Sequence, residues 1–360
     1  MNSQMTLLIG GNYMEEKLPK SLSDVLDKIN KTYGKGSIMS LGDQEPISKN
    51  LLSSGSLLID KILGGGIGIG RVTEIYGLES SGKTTLALQF AAQCQKNGGR
   101  VAYIDVENAL DTSYAAHLGV NVDKLIFSQP SSGEQALEIA DMLVKSGEIN
   151  LIIVDSVAAL TPQVELDGEM SDMTIGALAR LMSKALRKLT GTLNDKNCAI
   201  IFINQIRQKI NTGFMMGNPE TTTGGNALKF FASQRIELRK TTAIKSGEDV
   251  IGTHVKVKCV KNKIAPPMKV CEATMIFGDG FSAKGEVFDL AIEYNIIQKQ
   301  GGWYTLPNGN RLQGLKKVQD YFDNNNDEMI KLTDSVKQKL SGIEFEQQYT
   351  VDQDTGEILE

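Results

Sequence analysis

The chain has 360 residues, 41% of them hydrophobic and 22% charged, with a formal net charge of −5. This is an ordinary globular composition, which excludes a collagen-like or wholly disordered chain, and the length suits about two domains of ~150 residues each. The most apolar run, LIIV at 151–154, stops at Asp155, far short of the ~20 residues a spanning helix needs. No basic segment followed by an apolar one marks the N-terminus, so no secretory signal and no membrane partner are expected. Cys94, Cys198, Cys259 and Cys271 form no CxxC pair and have apolar neighbours. They read as buried reduced thiols, with the cytoplasm as the default compartment.

In chain order, Ser21 with Asp24 three residues on has capping-box spacing. Leu22, Val25, Leu26 and Ile29 then recur at helical period until Gly34, which predicts a short amphipathic helix whose apolar stripe needs a partner surface. A glycine-rich bridge, GGGIGIG, occupies 64–70. From there short apolar runs alternate with helical patterns. Strands are predicted at Arg71–Tyr76, Val101–Asp105, Leu151–Asp155 and Ala199–Ile203, and helices at Lys83–Lys96, Ser132–Lys145 and Ile175–Leu193. That alternation implies an α/β fold with a mostly parallel sheet covered by helices on both faces. Strands near 234–239, 254–261 and 270–276 follow without long helices between them and suggest an antiparallel extension. From about Gly280 a small mixed unit begins, with helices near 286–295, 311–324 and 327–340. The domain plan is therefore an N-terminal helical element at 1–45, a core at 46–280, a small C-terminal α/β domain at 281–342 and a tail at 343–360. Residues 344–360 hold six acidic residues and no basic one, a composition expected to be disordered. Charge is uneven in the other sense as well. Between Arg180 and Lys269 there are 17 Lys and Arg against 5 Asp and Glu, which is either a polyanion footprint or a set of solvated faces.

The sharpest motif is Gly77-Leu78-Glu79-Ser80-Ser81-Gly82-Lys83-Thr84, a G-x-x-x-x-G-K-[ST] phosphate loop between the predicted strand VTEIY and the helix TTLALQFAAQC. Glycines at its ends let the backbone curl so that successive N–H groups point at phosphate oxygens, and the following helix adds its positive N-terminal end. Lys83 is expected on the β- and γ-phosphates of ATP, and the hydroxyl of Thr84 on Mg²⁺. Asp155 ends the strand LIIVD, where a carboxylate at the sheet's carboxyl edge can hold the same Mg²⁺. Hydrolysis also needs a group to orient and deprotonate water. Glu107, just after VAYID, is the first candidate, with Asp105 and Asp111 as competitors. The stretch QIRQKINTGFMMGNPETTTGGN at 205–226 has no periodicity. Loops of that length are functional or disordered, and Arg207, Lys209 and the nearby Lys229 suit a nucleic-acid backbone. A lid over a small substrate is the rival reading.

GLESSGKTT at 77–85, DSVAAL at 155–160, INQIR at 203–207, NPETTTGGNALKF at 218–230 and VKNKIAPP at 260–267 together resemble the bacterial RecA family of homologous-recombination recombinases, over about residues 18–340. The resemblance implies a RecA-type P-loop ATPase that forms a helical homo-filament on single-stranded DNA with ATP and Mg²⁺, captures double-stranded DNA and exchanges strands. It also implies stimulated self-cleavage of LexA-type repressors in an SOS response. By similarity Glu107 is the catalytic carboxylate, and Gln205 senses the γ-phosphate and couples it to the long loop. Glu79, Ser80, Ser81 and Thr85 belong with the nucleotide loop, and Asp111 and Tyr114 match adenine-contacting positions. Lys261 and Lys263 would reach the nucleotide of an adjacent protomer. DNA-binding loops are implied at about 165–175 and 205–222. Arg180, Arg187, Arg207, Lys209, Gly224, Gly225 and Asn226 would be DNA-facing, with Phe214 or Met216 as a base wedge. The N-terminal helix would dock on the next subunit, and the C-terminal unit would capture duplex DNA.

The sequence also departs from the family pattern. Thr174 stands where most relatives carry histidine, the second loop is two residues longer, and Met216 replaces an aromatic residue. DVENALD at 105–111 stands for DAEHALD, and Phe277 for a frequent tyrosine. Two other functions compete with the recombinase: a small-molecule phosphotransferase on the same phosphate loop, and a non-catalytic single-strand coating protein. Trp303 beside Tyr304 could stack on bases or pack in the small domain. His117 and His254 show no metal spacing, and the 13 methionines read as core filler.

Overall fold

The computed structural model describes residues 20–34, 37–38, 50–169, 174–193, 196–208, 220–346, 350–351 and 358–359. The chain forms two compact units, Met1–Lys49 and Asn50–Glu360.

In the first unit the described helix is Lys20–Tyr33, none of whose residues is buried. Ser21 lies inside the described helix and so does not cap it. Gly34 ends the helix with φ 105°, a left-handed conformation that glycine adopts without Cβ strain.

The second unit is built on a ten-stranded sheet. From one edge its order is 280–281, 270–276, 249–262, 234–246, 72–77, 199–208, 151–155, 101–105 and 126–128, with 220–222 branching from 199–208. Strands Val72–Gly77, Ala199–Gln208, Leu151–Asp155, Val101–Asp105 and Ile126–Ser128 run parallel, and 72–77 also pairs parallel with Gln234–Ser246. Asp249–Asn262, Val270–Ile276 and Gly280–Phe281 continue the sheet antiparallel. The central strands are buried on both faces, as parallel strands covered by helices must be. Their period-2 alternation divides the core. Leu151, Ile153, Ile201 and Ile203 pack with Leu86, Phe90 and Ala91 of the helix Lys83–Lys96. Ile152, Val154, Ile200 and Phe202 face the helices Gly133–Ser146 and Ala177–Leu193 through Ala140, Val144, Leu186 and Leu189. Three strands, Ala199–Gln208, Gln234–Ser246 and Asp249–Asn262, outrun their predicted limits by several residues. Ala199–Gln208 gains five residues because Ile206–Gln208 pair with Glu220–Thr222. Gln234–Ser246 continues through a polar, exposed hairpin arm against the following strand.

A further core gathers Val287, Phe288, Leu290, Tyr304, Val318, Phe322, Leu332 and Val336. It lies among the helices Ala283–Glu293, Leu315–Asn324 and Asn326–Glu346 and the antiparallel strands Gln298–Gln300, Trp303–Thr305 and Arg311–Gln313. The single helix expected near 311–324 is thus a strand followed by a helix. Gly314, at φ 86°, separates them, and Leu312 pairs across the sheet with Tyr304. Leu57 and Leu58, from the helix Leu57–Leu63, pack against this core. Within 343–360, the last helix runs to Glu346, and Thr350–Val351 pairs with Ile358–Leu359, so those positions carry regular backbone where composition predicts disorder. Trp303 is partly exposed with the Arg311 guanidinium over its ring at 5.2 Å, a packing contact within the three-stranded sheet. No helix among the described residues is long and apolar enough to cross a membrane.

Candidate active site and nucleic-acid interface

The phosphate loop joins the strand Val72–Gly77 to the helix Lys83–Lys96. Left-handed φ values at Ser80 (53°) and Gly82 (90°) curl the backbone into the helix. The two glycines are sterically required. A Cβ on Gly77 would lie 2.3 Å from the Leu238 carbonyl oxygen, and one on Gly82 would lie 2.7 Å from Met275 Sδ. The Lys83 ammonium donates to the Leu78 carbonyl at 2.7 Å, and Ser81 Oγ donates to the same oxygen at 2.8 Å. Burial pushes the Lys83 ammonium below its ordinary pKa, against the pull of Asp155, Glu107 and Glu79. Phosphate charge would oppose that shift.

Asp155 sits where expected, at the carboxyl end of its strand. Its Oδ2 accepts from Thr84 Oγ1 at 2.9 Å and from Tyr103 OH at 2.7 Å. Burial raises its carboxyl pKa above the ordinary value. The hydrogen bonds from Tyr103 and Thr84 oppose the rise, while nearby Glu107 and Asp105 add to it. A cation there would relieve the buried charge. Tyr103 was not found from sequence. Its only signal is a polar tip inside the apolar strand VAYID, which a buried tyrosine must satisfy.

The three candidate bases separate by environment. Asp105 is buried, and its carboxylate accepts from the N–H groups of Ala109 and Leu110. Asp111 caps the helix Thr112–His117, accepting from the N–H of Ser113 and Tyr114. Glu107 is exposed. Its Oε1 accepts from Ser156 Oγ at 2.5 Å and from Gln205 Nε2 at 3.0 Å. Arg207 Nη2 in turn donates to Gln205 Oε1 at 3.0 Å. The structure therefore brings Glu107, Gln205 and Arg207 into one chain of contacts. Tyr114 OH lies 2.7 Å from Thr85 Oγ1, which ties the helix after Glu107 to the phosphate-loop helix. Glu79 is exposed at the loop.

The remaining site residues lie elsewhere on the second unit. Lys261 Nζ donates to the carbonyls of Lys229 and Phe230 at 2.8 and 2.9 Å. Burial and the neighbouring Lys263 and Arg235 charges lower its pKa. Lys263 lines a pocket of about 480 Å³ with Arg71, Ser233 and Phe230. Arg180 and Arg187 are exposed on one face of the helix Ala177–Leu193, and with Lys184 between them they line a shallow groove of about 370 Å³. Lys184 was missed although its spacing gives the same face. Gly224 and Gly225 have φ 78° and 73°, and a Cβ on Gly225 would lie 2.8 Å from Ala179 Cβ. They let the chain press against the arginine-bearing helix, with exposed Asn226 next in line. Residues 170–173 of the first loop, and Lys209, Phe214 and Met216 of the second, lie outside the described residues.

Comparison with known proteins gives this geometry a family. The RecA N-terminal domain model matches residues 20–282, and the RecA C-terminal domain model matches 285–341. The chain belongs to the RecA family. It is 54% identical over 312 residues to Protein RecA of Thioalkalivibrio sulfidiphilus, covering 86% of this chain and 90% of that one. Protein RecA of Acinetobacter baumannii is 52% identical over 329 residues, covering 91% and 93%, and that of Teredinibacter turnerae 51% over 336 residues, covering 93% and 97%. Among solved structures, a RadB recombinase aligns with TM-score 0.48 and 24% identity over 64% of this chain. RecA-family membership makes the protein an ATP-using recombinase that serves recombination and repair. Its residues fit that nucleotide: a loop only glycine can close, a lysine beside it, and the oxygens of Thr84 and Asp155 already converged where Mg²⁺ would bind.

Proposed function

We propose that this chain is a DNA-dependent ATPase that assembles as a filament on single-stranded DNA, pairs it with a homologous duplex and exchanges strands. The observation that carries the reading is the contact chain Glu107–Gln205–Arg207. It links a carboxylate beside the phosphate loop to the first residues of the long basic loop. Bound Mg-ATP supplies a γ-phosphoryl group for transfer to water. Lys83 and the curled loop hold its phosphates, and Thr84 and Asp155 hold the metal. Glu107, fixed by Ser156 and Gln205, accepts the proton of the attacking water at its free carboxylate oxygen. The Gln205 amide follows the charge it faces, and the strand it sits on carries that change into the 205–222 loop.

Arg180, Lys184, Arg187 and Arg207 offer charge and no fixed base-reading geometry. They suit phosphate contacts that leave base edges free to test homology. Asp111 and Tyr114 are assigned to the adenine, Lys261 and Lys263 to the nucleotide of a neighbouring protomer, and Gly224, Gly225, Asn226, Lys209 and Phe214 or Met216 to the DNA side. The N-terminal helix is assigned to subunit docking and the C-terminal unit to duplex capture. Stimulation of LexA-type repressor cleavage in an SOS response and a cytoplasmic location belong to the same reading. ATP turnover with and without single-stranded DNA tests it. Strong stimulation is expected. Turnover indifferent to DNA would point to a small-molecule phosphotransferase, and no turnover at all to a passive coating protein.

A further inference from the structure

Glu74 lies in the middle of the strand that feeds the phosphate loop and is fully buried. Its Oε2 pairs with Arg235 Nε at 2.5 Å, and its Oε1 accepts from Asn204 Nδ2 at 2.9 Å. A carboxylate held away from water is costly unless both oxygens are used, and here both are. Asn204 is equally buried and spends its whole amide. Nδ2 also donates to the Thr223 carbonyl at 3.1 Å, and Oδ1 accepts from the Gln205 N–H at 2.9 Å and from the Thr223 hydroxyl. One side chain therefore grips the chain where it enters the long loop, at Gln205, and where it leaves, at Thr223. The ladder between Ile206–Gln208 and Glu220–Thr222 starts immediately beyond that grip. The Arg235 guanidinium, 4.6 Å from the centre of the Tyr76 ring, ties the same assembly to the residue before Gly77.

We propose that Glu74 is a positioning residue which, through Asn204, clamps both stems of the 205–223 loop to the phosphate-loop strand, so that Gln205 and the loop exit shift as one unit. The inference rests on the function proposed above. The mechanism follows from saturation. Every donor and acceptor of the Asn204 amide is filled, so Gln205 cannot shift against Thr223 without stranding a buried polar group. The stems therefore have discrete arrangements and no continuous drift, which is what coupling between two sites needs. Glu74 touches neither nucleotide nor DNA in this assignment. Its role is to fix which way Asn204 faces.

The test uses the full-length protein with Glu74→Gln, Thr223→Val and the double variant. The readouts are ATP turnover over a range of ATP concentrations, with and without poly(dT), and mechanically separate thermal melts. Thr223→Val removes one hydroxyl and keeps the side chain's shape. Each single variant is expected to lower the DNA stimulation about tenfold, the size of one lost hydrogen bond in a charged network, with half-saturating ATP in the absence of DNA within about twofold of the parent. Because both act through Asn204, the double variant should be no worse than about threefold below the weaker single. Parental stimulation in the single variants, or losses that multiply to about a hundredfold in the double, would overturn the clamp. Should Glu74→Gln fail to fold, Thr223→Val decides alone: parental stimulation overturns the proposal and selective loss supports it. If the unsubstituted protein shows no DNA stimulation, the proposed function fails, and the clamp fails with it.

Discussion

Glu107→Gln separates chemistry from binding more cleanly than any other substitution in the site. The glutamine is nearly isosteric. Its retained oxygen can still accept from Ser156 Oγ and Gln205 Nε2, which reach a single carboxylate oxygen at 2.5 and 3.0 Å. What is lost is the negative charge and the ability to take a proton. Weakening two charge-assisted hydrogen bonds to neutral ones costs about 1 kcal/mol of local order, too little to unfold the site. Removing a general base costs about 10²- to 10⁴-fold in rate, or ~3–5 kcal/mol of barrier. The expected result is a hundredfold or greater loss of DNA-stimulated phosphate release, by the same reckoning, with ATP and single-stranded DNA binding intact by fluorescence titration. Turnover within about threefold of the parent, well below that range, would refute the assignment. The base would then have to be another group, although Asp105 and Asp111 are already engaged with backbone N–H groups.

Three further outcomes follow from the same contacts. Lys83→Ala removes the cation beside the phosphate loop, so saturating Mg-ATP should no longer raise the melting temperature and strand exchange should be lost; strand exchange surviving it would contradict the site. Gly77→Ala forces a Cβ to 2.3 Å from the Leu238 carbonyl oxygen, and overpacking of a central strand should cost ~3 kcal/mol in urea unfolding, whereas an unchanged midpoint would show that the sheet can open there. Burial raises the Glu286 carboxyl to about 7 despite hydrogen bonds from Ser56 and the backbone at Leu58 and Leu57. A carboxyl raised on folding binds its proton more tightly in the native state, so stability is greatest below the unfolded value of 4.5 and falls as pH rises from there to about 7. Glu286→Gln should remove roughly 3 kcal/mol of that fall between pH 5 and 8; an identical pH profile in the variant would locate the titration elsewhere.

Much of the site could be read from residue order because its chemistry is local. The phosphate loop is continuous in sequence, and its strand and helix announce themselves by period, so Lys83–Lys96 and Leu151–Asp155 match their predicted limits. Asp155 was legible because an acid that ends an apolar strand must emerge at the sheet's carboxyl edge, and Glu107 because it follows two residues after the strand that Asp105 ends. Contacts made across the sheet were not legible. Asn204 looks like an ordinary strand end in IFINQIR, and nothing nearby in sequence says that its amide meets Glu74, 130 residues away. Asp111 matched an adenine position, yet its carboxylate also caps the helix it precedes, a role its placement before Thr112 could have revealed. The helix Leu57–Leu63 was missed because seven residues carry too few turns for a periodic signal. Its cap, Ser56 accepting from the Ile59 N–H, was its one local cue.

The most direct test of the account is three-strand exchange. The purified protein is mixed with circular single-stranded DNA, a linear duplex, ATP and Mg²⁺, and joint molecules are followed on a gel. The account predicts joint molecules and nicked circular product with a homologous duplex and none with a heterologous one. Equal yields with both, or no product with either while ATP is hydrolysed, would contradict it.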